Sequence, residues 1–546
     1  MKRKLFIVSI VAILLVAAVA LSGCGTPQQD QPQGTAPDTD TGQPPADTPD
    51  EGAQEVDPGK EFVVGIPILT PSFDFFNTSN GFETFSMAQV YDTLVVKDNA
   101  GNYIGSLAES YTISADALTF TFYLHQNAVW SDGTKVTAND VKFSMEQLMV
   151  SPYTSWIYEP LLAEINVLDE STVEIVLQKS SVALLEYLAN PYYCSILSEE
   201  AYDRYGEAYG STAETIVSSG PYRVTSWSVG EYITYEANAD YFLGSPPISQ
   251  VRLVNMSDPA TAMFALQTGE IDAYFSDIPG VSFDAISNAP DIGVEEFTST
   301  ILYTSFMNTQ NGMFTDLRMR QAVAFAMSKE DYIIVGAEGF GVPADYPGDR
   351  GPGATTGDPE INGIWDNYYA LDLDKARALV EESGNAGKAV LIKTYSTDPY
   401  PAMATVLQNA LNQIGLDATI EQMERSTFIA TVLGEGDFEI QVCRWAAGTE
   451  DMDEIIYGSL HTDSIGPAGN WSFYGNPEMD VLIEKAAAEL DNNVRKGTYD
   501  QIIKMYLDDA VYIPLFYPTS SRAHSDRVTL DEGYAKFDKF IYYNWS

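Results

Sequence analysis

Catalytic and metal chemistry depends on a few residue types at particular spacings, and this chain holds them sparsely. Cysteine occurs only at Cys24, Cys194 and Cys443, and histidine only at His125, His461 and His524. No His-x-x-x-His or Cys-x-x-Cys pair sets two ligands side by side, so neither a zinc nor a haem site is expected. No Gly-x-Ser-x-Gly elbow and no Ser-x-x-Lys pair presents an activated hydroxyl. Loose Asp and Glu pairs abound, but 77 acidic residues supply them by chance. The chain is therefore expected to be no enzyme and to use no cofactor and no metal.

One position does carry a specific chemical signature. Lys2, Arg3 and Lys4 precede an apolar run from Leu5 to about Leu21, the pattern of a secretory leader. Leu21-Ser22-Gly23-Cys24 follows, which resembles the bacterial lipobox: an aliphatic residue, two small ones that fit a narrow peptidase site, then the cysteine that receives lipid. Cys24 is thus expected to be the lipidated mature N-terminus, with residues 1–23 removed. A diacylglyceryl cysteine anchors stably where one acyl chain would not. Residues 25–59 are dominated by Pro, Gln, Thr, Asp and Gly, with eight acidic residues and no Lys or Arg, so residues 24–59 read as an anchored, extended tether. The expected location is the cell membrane, facing the exterior or the periplasm.

Behind these chemical landmarks stand the elements that must position a site. Residues 60–546 are too long for one compact domain, and 45% hydrophobic residues suffice for two cores. The formal net charge is −48; losing Lys2, Arg3 and Lys4 takes the 29 basic residues to 26 against 77 acidic ones, or −51. Such a field repels nucleic acid and anionic lipid. Strands are predicted at Glu61 to Ile66 and, from strict alternation, Leu118 to Leu124. Thr137-Ala138-Asn139-Asp140 resembles a capping box opening a helix Val141 to Leu148. Asp258-Pro259 opens a helix that Gly269 stops, before a strand Ile271 to Phe275; Asp372 to Gly384 repeats that grammar. Helices at Met403 to Ile414, from Asn476-Pro477 to Leu490 and at Thr498 to Leu507, with a strand at Asp417 to Gln422, complete an alternating α/β pattern.

With those elements in place, a series of segments is similar to the bacterial extracellular solute-binding proteins of family 5, the oligopeptide, dipeptide and nickel type. It runs from Tyr91-Asp92-Thr93-Leu94 and Gly101-Asn102-Tyr103-Ile104-Gly105-Ser106-Leu107-Ala108-Glu109-Ser110 through Trp130-Ser131-Asp132-Gly133. Ser219-Gly220-Pro221-Tyr222, Gly269-Glu270-Ile271-Asp272-Ala273, Asp316-Leu317-Arg318-Met319-Arg320-Gln321-Ala322 and Ile513-Pro514-Leu515 keep the family's order. The resemblance implies a two-lobed periplasmic-binding-protein-like α/β fold (type II, large peptide-binding variety) with a ligand cleft between the lobes. One lobe is expected at residues 60–299 plus 513–546, the other at 300–512, with crossovers near 300–308 and 512–517. Cys194 and Cys443 then fall in opposite lobes, where a disulfide would lock the hinge, so two buried free thiols are expected.

The resemblance also implies the function: a monomeric lipoprotein of an ABC importer that captures a short peptide and hands it to the permease. In peptide-binding relatives a Trp-x-x-Asp segment approaches the ligand, its aspartate pairing with the free amino terminus. Here Trp445 matches, with Arg444 and Ala446 offering backbone groups to an extended ligand, but Gly448 stands where the aspartate would be. Glu450 or Asp451 is the candidate replacement; the alternative is that both acids cap the next helix, Met452 to Tyr457. Arg444 is expected either to pair with Glu450 or to meet a ligand carboxylate. On the first lobe Phe73 and Asp74 are expected to line the cleft, with the loop Phe75-Phe76-Asn77 aromatic enough to stack on a sugar or an apolar side chain; the alternative, in a chain with 33 Tyr, 25 Phe and 7 Trp, is that these aromatics are core. The alternatives are an oligosaccharide or other solute as ligand, and a receptor or chaperone role without transport.

Overall fold

The computed structural model describes residues 60–77, 81–98, 102–348, 367–449, 451–466, 469–530 and 539–546. Cys24, the leader, the tether and Glu450 lie outside the described residues. A twelve-stranded mixed sheet runs through the molecule. Its order is Asp417–Met423, Ala389–Tyr395, Ile440–Ala446, Ile301–Met307, Tyr512–Ser525, Ala273–Tyr274, Glu61–Ile66, Gln250–Asn255, Tyr232–Ala237, Tyr222–Ser228. Ile292–Thr298 and Gly341–Pro343 also pair with Tyr512–Ser525.

The fold is α/β and two-lobed, and the 14-residue strand Tyr512–Ser525 belongs to both lobes. Its first half pairs with Ile301–Met307 and its second with Ile292–Thr298 and Ala273–Tyr274. The chain passes between the lobes beside it, where Ser299 N donates to Pro518 O at 2.9 Å. One core gathers apolar side chains from Phe62 to Phe275 together with Val528, Phe540 and Tyr543. Two more, from Leu302 to Tyr517, fill the second lobe on either face of its sheet. A separate four-stranded antiparallel sheet, Ala108–Ile113, Thr119–Leu124, Thr172–Leu177 and Leu162–Asp169, extends the first lobe.

Local chemistry explains most element ends. Asp140 accepts the Thr137 amide at 2.8 Å and opens the helix Ala138–Val150. Asp258 accepts the Thr261 amide at 2.8 Å, Pro259 occupies the first turn, and Gly269 ends the helix Pro259–Thr268 at φ 73°. Thr498 to Leu507 proves to be the interior of a longer helix, Asn492–Asp509. Asp491 starts it by accepting the amides of Asn493 and Val494, and Gly497 is tolerated inside. The predicted strand Ile271 to Phe275 pairs only over Ala273–Tyr274. Among the described residues no helix is long and apolar enough to cross a membrane.

Candidate functional site

The strand Ile440–Ala446 supplies the site that the sequence singles out. It pairs along its whole length with Ile301–Met307, from Ile301 opposite Ala446 to Met307 opposite Ile440. On its other edge Ala389–Tyr395 pairs only with Ile440, Gln441 and Val442. Past Val442 no described strand covers that edge, so Cys443–Ala446 offers an open run of backbone groups. The period of two then separates the side chains: Arg444 and Ala446 are exposed, Cys443 and Trp445 are buried.

Trp445 is placed differently from the expectation that it contacts ligand. Its ring is 7% exposed and lies in the second lobe's core with Leu302 and Phe306. Nε1 donates to Gly469 O at 3.2 Å. A Cβ on Gly458 would come within 2.5 Å of the ring, so that glycine is what lets the helix Met452–Leu460 pack on the indole. The side chain at 445 faces the core because its neighbours at 444 and 446 take the open face.

Asp451 does not replace the missing aspartate. Its Oδ1 accepts the Asp453 amide at 2.7 Å, capping the helix Met452–Leu460, and its carboxylate is clamped by Arg495 at 2.6 and 2.7 Å. Burial opposes its charge, but Arg495 overrides that and holds the carboxyl below its ordinary value. Phe73 departs from the expectation as well, while Asp74 is half-buried. Phe73 is fully buried against Trp227, and Phe75 and Phe76 are 3% and 4% exposed. Asp74 accepts the Phe76 amide at 3.2 Å and the Asn77 side chain at 2.7 Å, closing a short turn. The aromatic run belongs to the core, so it supplies no platform for a sugar.

Gly448 explains why no acid stands at the fourth place. A Cβ there would fall 1.7 Å from the Tyr193 hydroxyl of the first lobe. Tyr193 fills that space and donates to Glu454 Oε1 at 3.2 Å, while Asn190 Nδ2 donates to Gly448 O at 2.5 Å. Glu454 also accepts the Gly448 and Thr449 amides and the Thr449 hydroxyl, at 3.0, 2.7 and 2.6 Å. Burial raises its carboxyl above the ordinary range although these donors oppose the shift. The lobes also meet where Lys179 donates to the Tyr457 hydroxyl at 3.0 Å and Val182 N to Ala487 O at 2.9 Å.

Arg444 is exposed and, among the described residues, has no hydrogen bond or ion pair. Tyrosines surround it. Burial raises the phenols of Tyr303, Tyr395 and Tyr400, and the Arg444 charge pulls each back. Tyr192, 36% exposed on the first lobe, feels that charge too, against burial, Glu454 and Glu83. Arg444 therefore sits at the boundary between the lobes, beside the open edge of its own strand. Tyr192, Tyr193, Asn190 and Glu454 were not singled out from the sequence. Cys194 and Cys443 are free and buried, and burial pushes the Cys194 thiol up to about 12. No group of three or more His, Cys, Asp or Glu that could hold a metal occurs among the described residues.

This arrangement of two lobes sharing one long strand, with a boundary lined by arginine, tyrosine and open backbone, fits a binding protein. The family model described as bacterial extracellular solute-binding proteins, family 5 Middle, matches residues 102–467. The chain belongs to that family. It is thereby a solute-binding protein, in a family of transport proteins and not of enzymes. It is similar to the probable D,D-dipeptide-binding periplasmic protein DdpA of Escherichia coli K12, 28% identical over 76% of this chain and 78% of that one. The periplasmic oligopeptide-binding protein OppA of Salmonella typhimurium is 26% identical over 86% of each chain. Among solved structures, the periplasmic binding protein DppA of Helicobacter pylori in complex with the peptide STSA aligns with TM-score 0.71 and 27% identity, over 89% of this chain and 98% of that one.

Proposed function

We propose that this family member is the external capture subunit of a peptide importer, held to the membrane by lipid on Cys24 and working as a monomer. It takes a short peptide into the boundary between residues 60–299 plus 513–546 and residues 300–512, and delivers it to ABC permease subunits without altering it. Closure is a hinge motion about the paired passages near Ser299 and Pro518. The observation that carries the peptide reading is the open edge of Cys443–Ala446. An extended main chain satisfies such an edge as an added strand, and neither a sugar nor a bare metal ion does so. The peptide-binding names of the relatives agree with it, and the burial of Phe75 and Phe76 weighs against the aromatic loop, which with Gly448 was the ground for the oligosaccharide alternative.

The test is mass spectrometry of solutes released by denaturing the purified mature protein, followed by calorimetry with the peptides found and their backbone N-methylated forms. Peptides should be recovered, and N-methylation at residues facing the edge should weaken binding about tenfold per lost bond, as one main-chain hydrogen bond allows. Recovery of sugars only, or indifference to N-methylation, rejects the reading.

A further inference from the structure

The open edge of Cys443–Ala446 is bounded at both ends, and each bound comes from a different lobe. At one end Ala389–Tyr395 pairs with the strand as far as Val442, which stands opposite Thr394. At the other end the first lobe intervenes. Asn190 Nδ2 donates to Gly448 O at 2.5 Å, and the Tyr193 hydroxyl lies 1.7 Å from where a Cβ of residue 448 would be, with ring carbons Cζ and Cε2 at 2.3 and 2.6 Å. Between these bounds run Cys443 to Ala447, five residues or about 17 Å of extended chain.

Tyr193 is fixed in that place by its own lobe. Its amide donates to Asn190 O at 3.0 Å and closes a turn around Pro191, within which the Asn190 side chain accepts the Tyr192 amide at 2.9 Å. Its carbonyl accepts the Tyr158 hydroxyl at 3.2 Å. The ring meets Tyr192, Tyr187 and Trp156 edge to face, with centroids 5.0, 5.8 and 6.0 Å away. A phenol held on three sides does not swing aside for a ligand as a surface side chain does. It also reaches Gly448 only when the lobes come together, because the two residues belong to different lobes.

We propose that Tyr193 is the stop for one end of the solute and that it acts through closure of the lobes. The inference rests on the peptide reading of the same boundary and specifies its substrate: a peptide whose end beside Gly448 carries no further group past Ala447. A chain that overran Ala447 would put atoms where Tyr193 must arrive. Such a chain lies on the second lobe but props the lobes apart, so it loses every contact that only the closed state makes. Gly448 is the matching half of the device, since a side chain there would take the same space. A first-lobe phenol thereby decides what a second-lobe edge accepts.

The experiment compares the mature full-length chain with its Tyr193→Ala and Tyr193→Phe variants, by calorimetry for affinity and small-angle scattering for compaction. The probes are tripeptide pools capped on the amino end with acetyl or naphthoyl, or on the carboxyl end with methylamide or naphthylamide. Within each pair the small and large caps remove the same charge, so the difference reads size alone. Wild type should reject the large cap at one end, binding it about tenfold or more weakly than the small cap and without compaction. Tyr193→Ala should accept that cap and compact with it, whereas Tyr193→Phe should behave as wild type because the ring carbons still block the path. A tyrosine that merely holds the lobes together would weaken all pools alike in Tyr193→Ala and leave their order unchanged. That outcome, or wild type accepting both large caps, overturns the stop while the peptide reading stands. If no pool binds wild type or either variant, the peptide reading fails and the stop fails with it. Should Tyr193→Ala not fold, wild type alone decides: a diazirine on the end that rejects naphthyl should label residues Asn190 to Tyr193, and labelling confined to other residues overturns the stop.

Discussion

Replacing Gly448 by alanine places a methyl carbon where the Tyr193 hydroxyl already is, 1.7 Å away, with the ring carbon Cζ at 2.3 Å. Tyr193 must then swing out. It loses its bond to Glu454, worth about 1.5–3 kcal/mol for a hydrogen bond to a charged group, and the crowding itself adds about 1–3 kcal/mol. Glu454 keeps its three donors from Gly448 and Thr449, so the loss falls on the contact between the lobes and not on either core. A cooperative body of roughly 490 residues has an unfolding entropy on the order of 1 kcal/mol/K, so a cost of about 2.5–6 kcal/mol lowers the melting temperature by only about 2.5–6 °C. Small-angle scattering should show the variant more open than wild type. The decisive assay is a cycle of Gly448→Ala, Tyr193→Ala and the double variant, followed by calorimetry. With the ring gone the added methyl has nothing to strike, so the second substitution should be nearly silent and the coupling should exceed about 1.5 kcal/mol. If Gly448→Ala costs the same with and without the Tyr193 ring, the clash is not the cause and this account of Gly448 is wrong.

Trp445→Ala should destabilise the fold by about 3–5 kcal/mol, the range for emptying a large buried aromatic site, and thermal unfolding will show it even without ligand. Arg495→Ala should cost about 3–5 kcal/mol in the same assay, since it strands the buried Asp451 charge. Asp453 has the opposite sign: burial, then Asp451, push its carboxyl up to about 6 from 3.8, so the native state holds its proton more tightly than the unfolded chain. Its penalty is absent below pH 4, grows from pH 4 to 6 and is constant above, so Asp453→Asn should stabilise by about 1–3 kcal/mol at pH 7.5 and by almost nothing at pH 3.5 in calorimetric melts.

What the sequence made legible is what local chemistry decides. Asp258-Pro259 with Gly269, and Asp372 with Gly384, mark helix ends because a cap and a left-handed glycine act within a few residues. The strand at Glu61–Ile66 is legible for the same reason. The facing of Trp445 was not. Its strand lies inside a sheet with cores on both faces, so alternation names two sets of side chains without telling which set is open. Phe73, Phe75 and Phe76 misled in a related way, since an aromatic loop and a buried aromatic turn have the same composition. Asp451 was legible as a cap, but its clamp by Arg495 joins residues 44 positions apart. Asn190 and Gly448 are separated by 258 positions, and nothing in either neighbourhood announces the other.

The same long-range contact bears on how the proposed hinge can open at modest cost. Asp451, with its Arg495 partner, lies within the second lobe, and Glu454 draws three of its four donors from that lobe, so separating the lobes strands neither carboxylate. What parts is the Tyr193 hydroxyl from Glu454, the Asn190 amide from Gly448 O, Lys179 from Tyr457 and Val182 N from Ala487 O. Each of these groups meets water on opening, so the bond to the Glu454 carboxylate stays near about 1.5 kcal/mol net, the other three contribute about 0.5–1.5 kcal/mol each, and the four together give about 3–6 kcal/mol. That sum must still offset the lost freedom of two lobes brought into one arrangement. A population shift from 1:99 to 99:1 needs about 5.5 kcal/mol of preference for one state, so contacts of this strength leave the balance for a ligand to tip. On the peptide reading, a strand added along Cys443–Ala446 that also met Tyr192 of the other lobe would make contacts that exist only in the closed state. Tying closure to such contacts, and keeping the ligand-free latch weak, is what allows an importer to tell a loaded binding protein from an empty one.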